Sequence, residues 1–126
     1  NLKLSIYTEK APSVIGPYSQ AIKLGNLIFV SGQLPISPET GLIEGGIEEQ
    51  TQMSLANLSN ILEAAGSSLD KVLKTTVYLD NINDFAAMNK VYSTFFKTAP
   101  PARSAFEVAN LPQKAKVEIE AIAYID

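Results

Sequence analysis

The stretch KVEIEAIAY, residues 116–124, alternates strictly. Val117, Ile119, Ala121 and Ala123 fall on one side of an extended chain, and Glu118, Glu120, Ile122 and Tyr124 on the other. Successive side chains of a strand point to opposite faces of its sheet. The segment therefore reads as a strand with one buried face and one face carrying two carboxylates beside apolar groups. A sheet of this kind is covered on one side only, and the rest of the chain has to supply the cover.

Two helices do so. In GIEEQTQMSLANLSNILEAAG, residues 46–66, Ile47, Thr51, Leu55, Leu58, Leu62 and Ala65 recur at three- and four-residue steps and form one face. Glu48 and Glu49 stand in its first turn, where the helix dipole favours anions, and Gly66 stops it. In NINDFAAMNKVYSTFF, residues 81–96, Phe85, Met88, Tyr92 and Phe95 form a second stripe, with Asn83 or Asp84 as N-cap and Pro100-Pro101 beyond the end. The remaining segments read as strands. Leu2, Leu4 and Ile6 alternate as a half-buried strand. QAIKLGNLIFVSGQ is a hairpin turning at Gly25-Asn26, KVLKTTVYL is β-rich, and a further strand covers about 103–108. Pro35, Pro38 and Gly41 mark a loop. The order β, β, β, α, β, α, β, β predicts two right-handed crossovers with both helices on one face of a single sheet. The expectation is one α+β domain over residues 1–126.

In the penultimate strand, Ser104, Phe106 and Val108 are assigned to the core and Arg103, Ala105 and Glu107 to the uncovered face. That face would then hold Arg103, Glu118 and Glu120 among Ile122 and Tyr124, with Phe29 as a further candidate. A half-apolar sheet face with no helix left to cover it points to a second copy of the chain. Alternation alone favours a solvated or salt-bridged surface for the Arg and the two Glu. Two features favour a site. Arg103 follows Pro100-Pro101-Ala102, which holds the backbone extended, and arginine grips a carboxylate with two parallel hydrogen bonds.

Composition narrows the chemistry. The 126 residues are 46% hydrophobic and 18% charged, with net charge −3 and no His, Cys or Trp. Arg103 is the only arginine, and the lysines form no run, so no nucleic-acid partner is indicated. Without His or Cys the usual zinc and copper ligands are missing, and no metal is expected. No apolar run approaches the roughly 20 residues that span a bilayer, and no export signal opens the sequence. The cysteine-free chain is compatible with a cytoplasmic location, which is the expectation.

The motifs APSVIGPYSQAI, IFVSGQLPISPETG, NLSNILEAAGSSLDKVLKTTVYLDNINDF, MNKVYSTFF and PARSAFEVANLPQKAKVEIEAIA follow one another in order along nearly the whole chain. Together they resemble the RidA/YjgF/UK114 family of reactive intermediate deaminases. The resemblance implies a chorismate-mutase-like fold assembled as a homotrimer, with three sheets around a central β-barrel and clefts between subunits. It implies hydrolysis of 2-aminoacrylate, 2-aminocrotonate and their imine tautomers to 2-oxo acids and ammonia, without a cofactor. Such substrates are released by pyridoxal-phosphate enzymes such as threonine or serine dehydratase, a functional link that requires no direct binding.

Residue by residue, Arg103 matches the arginine that binds the substrate carboxylate, and Glu118 the glutamate that positions or activates water. Tyr18, Ser31, Gly32 and Asn89 match cleft residues. Glu120 has no comparable role and reads as a structural ion-pair member. Ala105 stands where many active members carry cysteine; alanine preserves a backbone N–H contact there but not a thiol. A carboxylate beside Arg103 is expected to stay ionised. Two other functions are weighed: a non-catalytic protein binding 2-oxo acids through the same arginine, and RNA cleavage or translation inhibition. Net charge −3, one Arg and no His count against the last.

Overall fold

The computed structural model describes residues 2–126. The strands are β1 (Leu4–Ile6), β2 (Ala21–Leu24), β3 (Leu27–Gln33), β4 (Val72–Leu79), β5 (Ala102–Glu107) and β6 (Val117–Tyr124). The helices are α1 (Ile47–Ala64) and α2 (Phe85–Phe95). One six-stranded sheet has the order β1-β2-β3-β6-β4-β5. β6 inserts between β3 and β4, antiparallel to both, so β3 and β4 run parallel with a strand between them. β4 and β5 pair directly in parallel, joined through α2. The mixed sheet and two helices agree with the α+β expectation.

Local chemistry explains the element ends. The β2–β3 hairpin closes on Gly25-Asn26, with Leu24 facing Leu27. Gly25 supplies the positive φ of 58° that a two-residue hairpin turn requires. At the start of α1 the Glu49 carboxylate accepts from the Gly46 N–H at 2.8 Å, one half of a capping box. Gly66 takes a φ of 87° just past the end of α1. Thr51, Leu55, Leu58 and Leu62 of α1 are fully buried against Ile28, Val30, Val117 and Ile119 of the sheet, and Met88 of α2 joins them.

Three expectations are corrected. β1 is not half-buried: Leu2 is 88% and Leu4 54% exposed, and only Ile6 packs against the core. The cap before α2 is Asn81, whose side chain accepts from the Asn83 N–H at 2.9 Å around the 3-10 turn Ile82–Asp84; Asp84 makes no side-chain cap bond. The parity of β5 is the reverse of that expected. Its register pairs Thr75 with Arg103, Val77 with Ala105 and Tyr78 with Phe106. Thr75 and Val77 are buried under the helices, so Arg103 and Ala105 lie on the helix side. Phe106 lies on the open face, edge-on to Tyr78 with ring centroids 5.6 Å apart. Hydrophobicity alone assigns the aromatic residue to the core and the arginine to the surface, but at this sheet edge the guanidinium packs on rings of α2.

Two buried amides brace the loops around β3. Gln20 accepts from the Thr8 N–H at 2.7 Å and donates to the Thr8 and Pro12 carbonyls, anchoring the segment that leads to Tyr18. Asn57, on α1, donates to the Leu34 carbonyl at 3.1 Å and the Ile36 carbonyl at 2.9 Å. Removing the Asn57 amide strands two carbonyls at a site that is 1% exposed, which costs about 1–3 kcal/mol per unmet group. Asn57→Ala is therefore expected to lower the urea midpoint markedly with an unchanged m-value. A midpoint equal to that of the parent protein would show that the loop is held by other means.

Candidate active site

The residues singled out from the sequence fall into two groups. Tyr18, Ser31, Gly32 and Glu118 line one cleft of about 580 Å³, walled by Ile15, Leu34, Ile36 and Gln113. Asn89 and Arg103 line a second, of about 560 Å³, with Tyr92, Phe96, Pro100 and Pro101. Arg103 lies on the helix side of the sheet and Glu118 on the open face, so a single subunit does not bring them together.

The first cleft is shaped by a β-bulge. Val30 pairs with Ala121 and Gln33 with Ile119, so Ser31 and Gly32 together oppose Glu120. Such a bulge re-aims side chains at the end of a strand. The Ser31 hydroxyl donates to the Ser19 carbonyl at 2.6 Å and its N–H to the Gln20 carbonyl at 2.9 Å, tying the bulge to the Tyr18 loop. A Cβ at residue 32 would lie 2.9 Å from the Glu118 carboxyl carbon and closer still to one of its oxygens, so a side chain there would push the Glu118 carboxylate from its place. Gln113, on the cleft rim, and the following Lys114 both take a φ of 57°, a left-handed conformation that costs non-glycine residues roughly 1–2 kcal/mol each.

Burial pushes the Glu118 carboxyl above its ordinary pKa, and the charge of Glu120 pushes it further. Among the described residues no cation acts on it. The expectation that Glu118 stays readily ionised beside Arg103 is corrected for this reason: the sheet separates the two groups. A half-buried carboxyl with a raised pKa, lining a cleft, is a candidate for proton transfer.

The second cleft holds the guanidinium in place. Arg103 donates through Nη1 to the Asn89 side-chain carbonyl at 2.7 Å. Its Cζ lies 4.8 Å from the Tyr92 ring centroid and 5.4 Å from that of Phe85. Among the described residues the ion pairs are Lys71–Asp126 and Lys90–Glu48, so no carboxylate neutralises Arg103. The Val108 N–H bonds the Leu79 carbonyl. Alternation back along the strand therefore turns the amides of Phe106 and Ser104 toward β4 and those of Arg103 and Ala105 toward the unpaired edge. Ala105 packs its methyl against the core. An anion at this edge would meet a held guanidinium and a free backbone N–H.

Reading the sequence missed Tyr92 and Phe85 as neighbours of Arg103. The signal was present in their spacing: 85, 89 and 92 stand four and three residues apart, which places Asn89 on the same helix face as both rings.

Comparison with known proteins agrees with this fold over nearly its whole length. A family model described as Endoribonuclease L-PSP matches residues 8–125. A RutC family protein of Pyrococcus abyssi is 59% identical over 120 residues, 94% of each chain. A mouse protein named 2-iminobutanoate/2-iminopropanoate deaminase is 49% identical over 119 residues, 94% of this chain and 88% of its own. The crystal structure of Escherichia coli TdcF with bound serine matches with a TM-score of 0.95 at 44% identity, over 98% of this chain and 99% of that one.

The raised pKa of Glu118 has a sign that can be tested. In the folded protein the group binds its proton more tightly than in the unfolded chain, so stability falls as pH rises from the ordinary carboxylate value of 4.5 through the raised folded value. Glu118→Gln is expected to melt higher than the parent at pH 7 and to lose that advantage below the ordinary carboxylate value. Equal melting temperatures at both ends would show that Glu118 carries no such penalty.

Proposed function

The chain belongs to the RidA/YjgF/UK114 family, and we propose that it hydrolyses 2-imino acids and their enamine tautomers to 2-oxo acids and ammonia. The observation that carries this reading is the guanidinium of Arg103, held by Asn89 and two rings yet left without a carboxylate of its own. Such a group is prepared for an external carboxylate. The mouse relative is named as an imine deaminase, and its identity over most of both chains supports extending the activity to this one.

In the proposed reaction Arg103 and the outward Ala105 N–H fix the substrate carboxylate, which places the adjacent C=N carbon. Glu118 takes a proton from water as the oxygen bonds to that carbon, and the imine nitrogen receives that proton as the C=N bond becomes single. The carbinolamine then collapses: Glu118 carries the hydroxyl proton to the amino nitrogen, the C–N bond breaks, C=O forms, and ammonia leaves. Tyr18, Ser31 and Gly32 line the Glu118 side, and Asn89 the Arg103 side. The chemistry so written draws on no metal or cofactor. A threonine- or serine-dehydratase reaction in the same cytoplasm would supply the substrate.

The two halves are completed by a second copy. One subunit would contribute Arg103, Asn89 and the edge of β5, and its neighbour Glu118, Tyr18 and the bulge at Ser31-Gly32. Phe29, Phe106, Ile122 and Tyr124 on the uncovered sheet face supply apolar area for this contact, and a trimer around a central barrel is the arrangement the family implies. The separation of the halves also favours a second reading, a 2-oxo acid binding protein that uses the Arg103 half alone. The family model's description names an endoribonuclease, but net charge −3 and a single arginine give RNA little to bind.

In an assay coupled to threonine dehydratase, Arg103→Ala is expected to abolish imine hydrolysis while the oligomer stays folded. Glu118→Gln should lower turnover about 10²-fold or more with little change in 2-oxobutanoate affinity. Co-refolding the two inactive variants should restore part of the activity, because some interfaces then pair an intact Arg103 with an intact Glu118. No recovery in the mixture would place both groups in one subunit's site or in none. A wild type that binds 2-oxobutanoate without shortening the imine lifetime would establish the binding-protein reading.

A further inference from the structure

Tyr92 lies on the core face of α2 and would ordinarily count as packing. Its ring packs tilted against Phe96, with centroids 4.7 Å apart, and it is 6% exposed. Two contacts set it apart. Its hydroxyl shares a 2.7 Å hydrogen bond with the Thr75 hydroxyl, and Thr75 is the register partner of Arg103 across β4 and β5. Its ring also approaches the guanidinium more closely than Phe85 does. The ring is thus fixed to the neighbouring strand beside the residue whose charge it faces.

We propose that Tyr92 is a positioning residue for the carboxylate clamp: its ring face, locked to β4 through Thr75, sets the plane of the Arg103 guanidinium. The proposal rests on the reading of Arg103 as that clamp. An arginine side chain in water samples many rotamers, and ordering it costs about 1–2 kcal/mol when a ligand binds. Here the aromatic face attracts the cation through its quadrupole. The guanidinium has its Cζ 4.8 Å over the Tyr92 ring centroid, so one side is taken by the ring, and Asn89 occupies one end of its fork. The remaining N–H edge is left for two parallel bonds to a carboxylate. The ordering cost is then met on folding rather than on binding. Burial pushes the Tyr92 phenol up, against smaller opposing effects from Thr75 and Arg103, so the ring stays neutral and its face keeps its quadrupole.

Arg103 is the only arginine, so its guanidinium NMR signal identifies itself and can be followed without ligand. In the parent protein the Nε–Hε resonance should be displaced from the free-arginine position by ring currents, with slowed rotation of the group. Tyr92→Leu is expected to move it back toward that position and to raise the Kd for 2-oxobutanoate roughly 3- to 30-fold, with KM raised likewise and kcat nearly unchanged. Tyr92→Phe keeps the ring face but loses the Thr75 bond, and should fall between the parent and Tyr92→Leu in both signal and affinity. A Tyr92→Leu protein that remains folded with the Arg103 signal and Kd unmoved, only its melting temperature lowered, would reduce Tyr92 to packing and overturn the proposal. A Tyr92→Phe variant as impaired as Tyr92→Leu would overturn it as well. Should the parent bind no 2-oxobutanoate, the clamp reading fails, and the guanidinium signal still decides whether Tyr92 orients Arg103.

Discussion

β6 lies between β3 and β4, antiparallel to both, and its odd-numbered residues are driven under the helices because Val117, Ile119, Ala121 and Ala123 have nowhere else to leave water. A strand has only two faces, so that burial turns Glu118 and Glu120 outward. The register with β4 then sets Tyr78 opposite Glu118, and the register with β3 sets the bulge at Ser31-Gly32 opposite Glu120. β4 in turn fixes the parity of β5 and puts Arg103 on the helix side. Sliding β6 by one residue would exchange these assignments and bury both carboxylates. The hydrophobic pattern of one strand thereby sets the positions of an acid and, through one intervening strand, of the cation on the far face.

The two charged groups sit in opposed environments. Arg103 has a ready-made seat and no counter-charge, and Glu118 is half-buried with another carboxylate nearby and no cation. Each arrangement costs stability in an isolated subunit, the first by leaving a cation unneutralised and the second by desolvating an anion. Both costs are relieved if the guanidinium of one copy comes to face the Glu118 cleft of another. Gly32 belongs to the same logic, since any side chain there would occupy the space of the Glu118 carboxylate.

Much of this was legible in the sequence. The α1 face, the Gly25-Asn26 hairpin and the parity of β6 follow from periodicities of 3.6 and 2 carried by residues of one kind. β5 was not legible, because its composition gives two contradictory signals. Phe106 is apolar and lies on the open face, whereas Arg103 is charged and packs on two rings. Six residues at a sheet edge, with one face only partly covered, hold too little hydrophobic contrast to set a parity. The pairing of Thr75 with Arg103 decides it, and such a pairing is a property of the folded sheet. β1 misled for a related reason: Leu2 and Leu4 alternate as a buried strand would, but the edge they occupy has nothing packed over it within the subunit. The site residues were recognised one by one from family motifs, but their division into two clefts follows only from the parity of β5.

That parity also bears on Ala105, where the family resemblance is weakest because many active members carry cysteine. The Ala105 methyl points under the helices and packs with the core, beside its register partner Val77. Its N–H points the other way in function: alternation from the Val108 N–H bond aims it at the unpaired edge of β5. A sulfur on this Cβ would extend from the inward side, so the part of residue 105 offered at the edge is the amide, which alanine and cysteine share. Alanine also adds no thiol to ionise or oxidise next to a guanidinium that would favour the thiolate. The substitution preserves the edge donor in the same place and changes the packing on the inner side by one atom.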